Sequence, residues 1–244
     1  MRPIPLLITI STAALVYWTA PYLLVVNSVP GYAPVSPHTA REVLRNTDAP
    51  RPAPGGAVAR AVIEHRAKEP IGRWKTHAKV SEPRAMLARL ALGRDIDAVN
   101  AKLQAAEPWS VAGSSWALNK GDYDFTLVTL VEILHLFGDD PAVLYPQAGR
   151  HLCEVLLVEQ GGEPKLYAPN TLGRIFDTEN HVLMTETSRY LTNQWLHRHG
   201  SDDPAHDNAE SGLRPWMAAY LNHLRLHGFH EFNSVPYDSF ALQA

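Results

Sequence analysis

One stretch of the sequence, DYDFTLVTLVEILHLFGDD at residues 122–140, is so rich in apolar residues that they cover nearly every face of a helix. A helix that is hydrophobic all round is stable in water only when other elements surround it. Gly138 follows the apolar run, and glycine commonly follows the last turn of a helix. The stretch therefore predicts a central buried helix with the rest of the fold packed around it.

Other segments have the one-sided apolar stripe of helices that pack on such a centre. Ser81 and Asp140 supply start signals and Gly93 and Gly161 supply stop signals. Helices are predicted at residues 81–93, 94–106, 141–160, 178–199 and 211–228, with a short helix near 57–68. No segment alternates apolar and polar residues over the length of a strand, so the predicted fold class is all-α. Antiparallel pairs of such helices, joined by short turns, are the units of α/α arrays and toroids.

The N-terminal segment has a different composition. Residues 4–26 contain no charged side chain over a length that can cross a bilayer, which takes about 20 residues. Arg2 precedes the run, and Gly31 and Ala33 are small residues at the positions that a signal peptidase reads. Residues 1–33 are therefore predicted to be either a cleaved signal peptide or an uncleaved signal anchor helix that holds the protein on a membrane. Both alternatives predict a secreted, periplasmic or membrane-anchored protein that faces away from the cytoplasm.

Residues 34–80 are predicted to be a linker, because they are rich in Pro, Ala and Arg and include the helix-breaking stretch NTDAPRPAPGG at 46–56. The remaining residues, 81–244, are predicted to form the helical domain. Lys and Arg total 22 against 25 Asp and Glu, so no basic field exists to attract nucleic acid. A single cysteine, Cys153, lies among apolar residues, which excludes an internal disulfide and indicates a buried, unreactive thiol.

Asn180 and His181 are two polar residues side by side in the first turn of the predicted helix 178–199. Free backbone N–H groups and the positive end of the helix dipole favour an anion there. The same dipole disfavours an imidazolium, so we expect His181 to stay neutral and able to accept a proton. The alternative is that Asn180 caps the helix and His181 is a structural histidine.

Two further clusters contain residue types that bind or react with sugars. Near the C-terminus, Glu231, Asn233 and Tyr237 lie in a loop after the last strongly predicted helix. The phenol of Tyr237 can donate a proton. The alternative is that this segment is an ordinary turn. Before the central helix come Trp116, Asn119, Asp122 and Tyr123, which offer ring stacking and hydrogen bonds to a sugar or, alternatively, simply begin the helix.

Cofactor signatures are weak in this sequence. It has no P-loop, no dinucleotide fingerprint and no nucleophile elbow, so we expect no cofactor. His223, His227 and His230 have a spacing that could hold zinc only if the helix continued through Gly228, and we expect no metal site.

Taken in chain order, three segments resemble poorly characterised exported proteins: W..N..DY.F at 116–125, ENHVLM followed by SRYL and Gln at 179–194, and GFHEFNSVPYDSFAL at 228–242. The helices of those proteins are similar to the (α/α) toroid of polysaccharide lyases such as alginate lyase and the heparinase II/III-like enzymes. The resemblance covers about residues 114–244 and implies a partial α/α toroid over 81–244. The ring is expected to be incomplete, because a closed toroid needs more helices than the sequence supplies. Truncation of the chain after residue 244 is one explanation that the sequence leaves open.

The resemblance also implies roles. Asn180 would neutralise the carboxylate of a uronic acid, His181 would remove the adjacent proton, and Tyr237 would protonate the leaving oxygen or act as the base. Glu231 and Asn233 would position the sugar. The implied function is cleavage of an acidic polysaccharide by β-elimination. The alternative is a membrane-anchored helical scaffold or glycan-binding protein without catalytic activity.

Overall fold

The computed structural model describes residues 56–72, 81–115, 118 and 120–227. The predicted signal or anchor at 1–33 lies outside them, as do Trp116, Asn119, Glu231, Asn233 and Tyr237. The α-helices are α1 (Gly56–Arg66), α2 (Ser81–Ala91), α3 (Ile96–Ala105), α4 (Asp124–Phe137), α5 (Pro146–His151), α6 (Glu179–Arg198) and α7 (Leu213–His227), with a π-helical turn at Leu152–Leu156 and a 3₁₀ turn at Pro204–His206. No strand occurs in the described ranges, and Tyr167 and Phe176 form an isolated antiparallel bridge. The all-α class is confirmed.

Helix α4 is the centre of the fold, as its all-round apolar pattern predicts. Ten of its residues are buried, and side chains such as Leu127, Leu130 and Ile133 have no exposed surface. They share one apolar core with residues of α2, α3, α5 and the π-helical turn. Burying this many large aliphatic side chains stabilises the fold by about 1.5–3 kcal/mol for each of them.

The helices pack in a pattern that alternates along the chain. Helix α2 contacts α4 and α4 contacts α6, so these three helices form a continuous row. Outside that row, α3 packs on both α2 and α5, α1 packs on α2, and α7 packs on α6. Consequently α6 has α4 on one side and α7 on another.

The prediction of one α-helix at residues 141–160 is wrong both in where the helix begins and in its helix type. Helix α5 begins at Pro146, because the residue before a proline is restricted to extended backbone and Tyr145 has φ −63° and ψ 143°. Asp140 accepts a hydrogen bond from the Ala142 N–H at 3.0 Å and so forms a turn. After His151 the helix widens into the π-helical turn, where Cys153 is half-buried; burial raises the pKa of its thiol to about 11.

The segment 56–72, predicted to lie in the linker, packs against the helical domain. Its short helix is confirmed as α1, which contacts α2. The Arg89 side chain of α2 donates hydrogen bonds to the carbonyl oxygens of Ala67 and Glu69 at 3.0 and 2.7 Å. Among the helices of the described ranges, none is both long enough and apolar enough to cross a membrane.

A second, smaller core fixes the start of α6. Val182 and Leu183 of α6 pack with Tyr220 and Leu224 of α7. The Tyr220 hydroxyl donates a hydrogen bond to the carbonyl oxygen of Glu179 at 3.1 Å. The first turn of α6, which contains Asn180 and His181, is therefore held between α4 and α7.

Candidate active site

A buried carboxylate and an imidazole meet where α4 and α6 begin. Nδ1 of His181 lies 2.7 Å from Oδ2 of Asp124, a residue of α4 with no exposed surface. The Phe125 ring packs edge-on against the imidazole with ring centroids 5.4 Å apart. Burial raises the pKa of Asp124, and the His181 imidazole opposes that shift. When Asp124 is ionised its carboxylate only accepts hydrogen bonds, so Nδ1 donates the proton and Nε2 is the nitrogen that can exchange one.

The loop before α4 holds Asp124 in place. Its Oδ1 accepts the Gly113 N–H at 3.0 Å, and the Asp122 N–H returns a 2.6 Å hydrogen bond to the Gly113 carbonyl oxygen. Gly113 has φ +100°, and a Cβ there would lie 2.5 Å from Oδ2 of Asp177 and 2.7 Å from Cδ of Pro169. Only glycine fits this backbone position without displacing its neighbours.

Three carboxylates near His181 raise its pKa. Burial by itself lowers the pKa of His181, but Asp124, Asp177 and Asp122 together outweigh it, and the pKa lies above its ordinary value. Oδ1 of Asp122 is 3.8 Å from Nε2. The direction of this shift is opposite to the one expected from the helix dipole, because nearby full charges act more strongly than the partial charge of a helix end.

A cavity of about 570 Å³ opens beside the pair. His181 and Thr185, one turn apart on α6, line one side, and Ala112 and Gly113 of the loop before α4 line another. A volume of this size falls in the range of cavities that hold a small molecule or one part of a polymer. The arrangement can therefore move a proton to or from a bound molecule.

The segment 165–177, here called the strap, forms a further wall. It is a short antiparallel pair in which the Asp177 N–H donates to the Leu166 carbonyl oxygen and the Ala168 N–H donates to the Ile175 carbonyl oxygen, at 2.9 and 2.8 Å. Asp177 lines the cavity, and its carboxylate accepts the N–H groups of Ser114 and Thr178 at 3.0 and 2.9 Å. The strap is thus tied to the loop before α4 and to the start of α6.

A buried ion network borders the cavity beyond Thr185. Arg189 of α6 donates to Glu159 at 2.5 Å and to Glu186 at 2.9 Å, and all three side chains are almost completely buried. Lys165 donates from Nζ to the second oxygen of Glu159 at 2.7 Å. Glu159 and Lys165 also line the cavity, so the network supplies its charged end.

The predicted site residues are divided between different environments. His181 lines the cavity, and Asp122 lies beside it. Asn180 is buried, and its side-chain oxygen accepts a short hydrogen bond from the Thr178 hydroxyl. Tyr123, predicted to bind sugar, is instead a core residue: it is fully buried, its hydroxyl donates to the Leu156 carbonyl oxygen at 3.0 Å, and burial raises its pKa. The other five candidates lie outside the described residues.

Several residues of the site are absent from the predicted set: Asp124, Asp177, Lys165 and Tyr167. Asp124 is visible in the sequence only as an acidic residue in the first turn of a helix, a common position for carboxylates. The strap residues follow no motif. The two rings of His223 and His227 lie 4.6 Å apart on α7, and no group of three metal-binding side chains occurs in the part of the chain that the structure describes.

Comparisons with known proteins add no assignment. No protein-family model matches the chain, and neither the curated proteins nor the solved structures compared with it gave a significant match.

Proposed function

We propose that this protein is an exported carbohydrate-active enzyme that cleaves an acidic polysaccharide by β-elimination, with His181 as the base. The observation that carries the proposal is the buried hydrogen bond of 2.7 Å between Asp124 and His181, which lies at the wall of a cavity. A histidine oriented by a buried carboxylate is a common arrangement for a general base, because the bond fixes both the tautomer and the ring orientation.

In the proposed reaction His181 removes the proton at C5 of a uronic acid through Nε2. The electron pair of that C–H bond forms the C4=C5 double bond, and the C4–O bond to the leaving sugar breaks. The leaving oxygen takes a proton from Tyr237, which lies outside the described residues, or from water. The imidazolium is stabilised by Asp124, Asp177 and Asp122, and it releases its proton to solvent before the next cycle.

The helix arrangement also supports the proposal. The row formed by α2, α4 and α6, with α3 and α5 packed beside it, is the kind of packing from which a partial α/α toroid is built. In such an arc the loops before α4 and α6 lie at one end of neighbouring helices. The two halves of the candidate site come from those loops and helix starts.

A second candidate function is a non-catalytic scaffold or glycan-binding protein, on a membrane if residues 1–33 remain attached. It is favoured by how tightly the pair is buried: the side chain of His181 is 8% exposed and that of Asp124 is not exposed at all. In this case the hydrogen bond chiefly joins α4 to α6. Removing one partner then costs about 1–3 kcal/mol of stability.

The test is an elimination assay with the purified full chain. Alginate, hyaluronan, heparin and pectate are incubated with the protein over a broad pH range, and unsaturated product is followed by its ultraviolet absorbance. We expect product with at least one polymer, a loss of about 100-fold or more in His181→Ala, and normal turnover in His197→Ala, where an exposed histidine at the end of α6 is removed. No product with any polymer overturns the enzyme proposal.

Thermal melts of the same variants separate the two candidates. If His181 is catalytic, the double variant with His181→Ala and Asp124→Asn should have a melting temperature close to that of the wild type. A large loss of stability in both the single and the double variant, without elimination activity in the wild type, favours the scaffold. The double variant is needed because His181→Ala alone leaves a buried carboxylate unpaired.

A further inference from the structure

Two leucines protrude from loops beside the cavity. Leu172 at the tip of the strap is 90% exposed, and Leu118 in the loop before α4 is 73% exposed. Both have left-handed backbone, with φ of +55° and +61°. Apart from glycine, residues with positive φ are uncommon, and asparagine and aspartate are the usual ones. Each leucine therefore combines an exposed apolar side chain with an unfavourable backbone conformation, a combination that is typical of functional sites.

The two loops are in contact with each other. Besides the bond from Ser114 to Asp177, the Asn170 side chain donates a hydrogen bond of 3.5 Å to the Lys120 carbonyl oxygen. Each leucine is two positions from this second contact, and two residues of chain span at most about 7 Å. The two leucines therefore belong to one surface of the molecule.

Basic side chains accompany the leucines on this surface. Lys120 and Arg174 are exposed, and each follows one of the leucines by two positions. The four residues Leu118, Lys120, Leu172 and Arg174 are here called the leucine patch. It combines protruding apolar side chains with cations beside them.

The carboxylates of the same segments lie elsewhere. Asp122 is 8% exposed and lies beside His181, and Asp177 is half-buried and accepts two backbone N–H groups. Glu163 is exposed, but it precedes the strap at the end opposite to the tip. The patch itself is therefore positively charged, although the whole chain has a formal charge of −3. Salt limits an exposed charge to a range of about 8 Å, so the charges at the contact decide the attraction.

We propose that the leucine patch binds the surface of an anionic lipid bilayer, with the two leucines inserted among the acyl chains and the two cations at the headgroups. A bilayer accepts protruding side chains without a complementary pocket, and its anionic headgroups attract basic residues. A protein partner fits less well, because a stable protein interface buries about 800 Å² on each side, far more than two leucines supply. The inference does not depend on the proposed reaction, and it places the cavity, which Asn170 lines, beside the bilayer.

The test follows an environment-sensitive dye on the full chain. The dye is attached to Leu172→Cys or, separately, to Leu118→Cys, each in a Cys153→Ser background. Vesicles of phosphatidylcholine, alone or mixed equally with phosphatidylglycerol, are then added. We expect a blue shift of the emission with the anionic vesicles, because the dye enters a less polar environment. Leu136→Cys is the matched control, since Leu136 is 65% exposed at the end of α4 and lies outside the patch. The signal is local, so it is informative whether or not residues 1–33 also insert.

Substitutions separate the apolar and the ionic contributions, with the dye on Leu118→Cys as the readout. Leu172→Asn suits the left-handed backbone but removes the apolar side chain, so binding should weaken about tenfold while circular dichroism melts show a folded protein. Arg174→Gln should weaken binding to the anionic vesicles about fivefold, and added salt should act in the same direction. Lys68→Gln removes an exposed lysine at the end of α1 and should bind like the wild type.

Four results overturn the inference. The first is no shift at either leucine position with anionic vesicles, and the second is an equal shift with phosphatidylcholine alone. The third is a shift in Leu136→Cys as large as that in Leu172→Cys, since the whole surface then adsorbs. The fourth is a wild-type chain that dimerises without lipid and dissociates in Leu172→Asn, because a second copy then covers the patch. The elimination assay decides the proposed function separately from all four.

Discussion

Asp124 and His181 depend on each other for their charge states. A carboxylate with no exposed surface is costly unless it is paired, and the imidazole pairs with it at 2.7 Å. The imidazole in turn has its pKa raised by Asp124 and by two further carboxylates. A base with a raised pKa is deprotonated only at higher pH, so the proposed elimination should proceed faster in alkaline solution.

This charge coupling predicts how stability depends on pH. The pKa of His181 in the folded state lies above its unfolded value of about 6.5. Protonated His181 therefore adds its full contribution to the free energy of unfolding below about pH 6.5, and this contribution is lost as the pH rises through the folded-state pKa. We expect the stability difference between the wild type and His181→Gln to shrink on going from about pH 6 to pH 9. Urea unfolding at several pH values measures it, and Asp124→Asn should abolish most of the pH dependence. A difference that grows with pH contradicts the assigned charge.

Gly113 gives a second prediction at the scale of one residue. Gly113→Ala should destabilise the protein by roughly 2–4 kcal/mol, because it combines a left-handed backbone with collisions against Asp177 and Pro169. Gly93→Ala is the control: Gly93 has φ +64° but open space around its Cβ position, so only the backbone term of about 1 kcal/mol applies. Equal losses in urea unfolding would show that the close approach at Gly113 carries no cost.

Single residues of the site were predictable only in part. His181 was predictable because a helix start is a local feature that the sequence displays. Its partner Asp124 is 57 positions away along the chain. No local feature of the sequence indicates that the start of α4 packs against the start of α6. Tyr123 illustrates the opposite error: its residue type fits sugar binding, but its position one residue before a central helix places it in the core.

Helices α4 and α6 each bury hydroxyl side chains. Thr129 of α4 and Thr185, Ser188 and Thr192 of α6 are buried, and their hydroxyl oxygens have no hydrogen-bond partner among the described residues. By contrast, the Thr126 hydroxyl of α4 accepts the indole N–H of Trp109 at 3.0 Å. The same helix therefore offers one paired and one unpaired threonine.

This contrast predicts opposite effects of one substitution. Thr129→Val should leave stability unchanged or raise it by up to about 1 kcal/mol, because it replaces an unpaired hydroxyl with a methyl group of the same shape. Thr126→Val should lower it by about 1–3 kcal/mol, because it leaves the Trp109 N–H without its acceptor. Urea unfolding of the two variants is the measurement. A loss in Thr129→Val as large as that in Thr126→Val would indicate that Thr129 has a partner after all.

Whole helices were predicted better than their ends. Helices α4, α6 and α7 lie within a few residues of their predicted bounds, because each combines an apolar stripe with a clear start or stop residue. Helix α5 was misplaced because Asp140 was interpreted as a helix start, whereas Asp140 forms a turn and the helix begins at Pro146. The strap could not be predicted, since its antiparallel pair covers too few residues to be recognised as strands in the sequence.

At the scale of the molecule, Arg189 connects the cavity to the rest of the fold. Besides its two carboxylate partners, it donates to the Gln160 carbonyl oxygen at 2.6 Å, and Glu186 accepts the Lys165 backbone N–H at 2.9 Å. The network thus joins α6, the segment after the π-helical turn and the strap.

Removing that cation should destabilise the whole molecule. Arg189→Met is expected to cost about 3–5 kcal/mol, because Glu159 and Glu186 remain buried without their counterion. Replacing both glutamates by glutamine in the same variant should recover part of the loss. Urea unfolding tests both variants, and a loss below about 1 kcal/mol in Arg189→Met would mean that the network is not buried in solution.

The long separation between Asp124 and His181 also has a consequence for folding kinetics. Contacts between residues far apart in sequence require the closure of a long loop, and such contacts often form after the transition state for folding. Interactions that form that late mainly slow unfolding and leave the folding rate nearly unchanged. On this basis we expect that removing the Asp124–His181 bond speeds unfolding more than it slows folding.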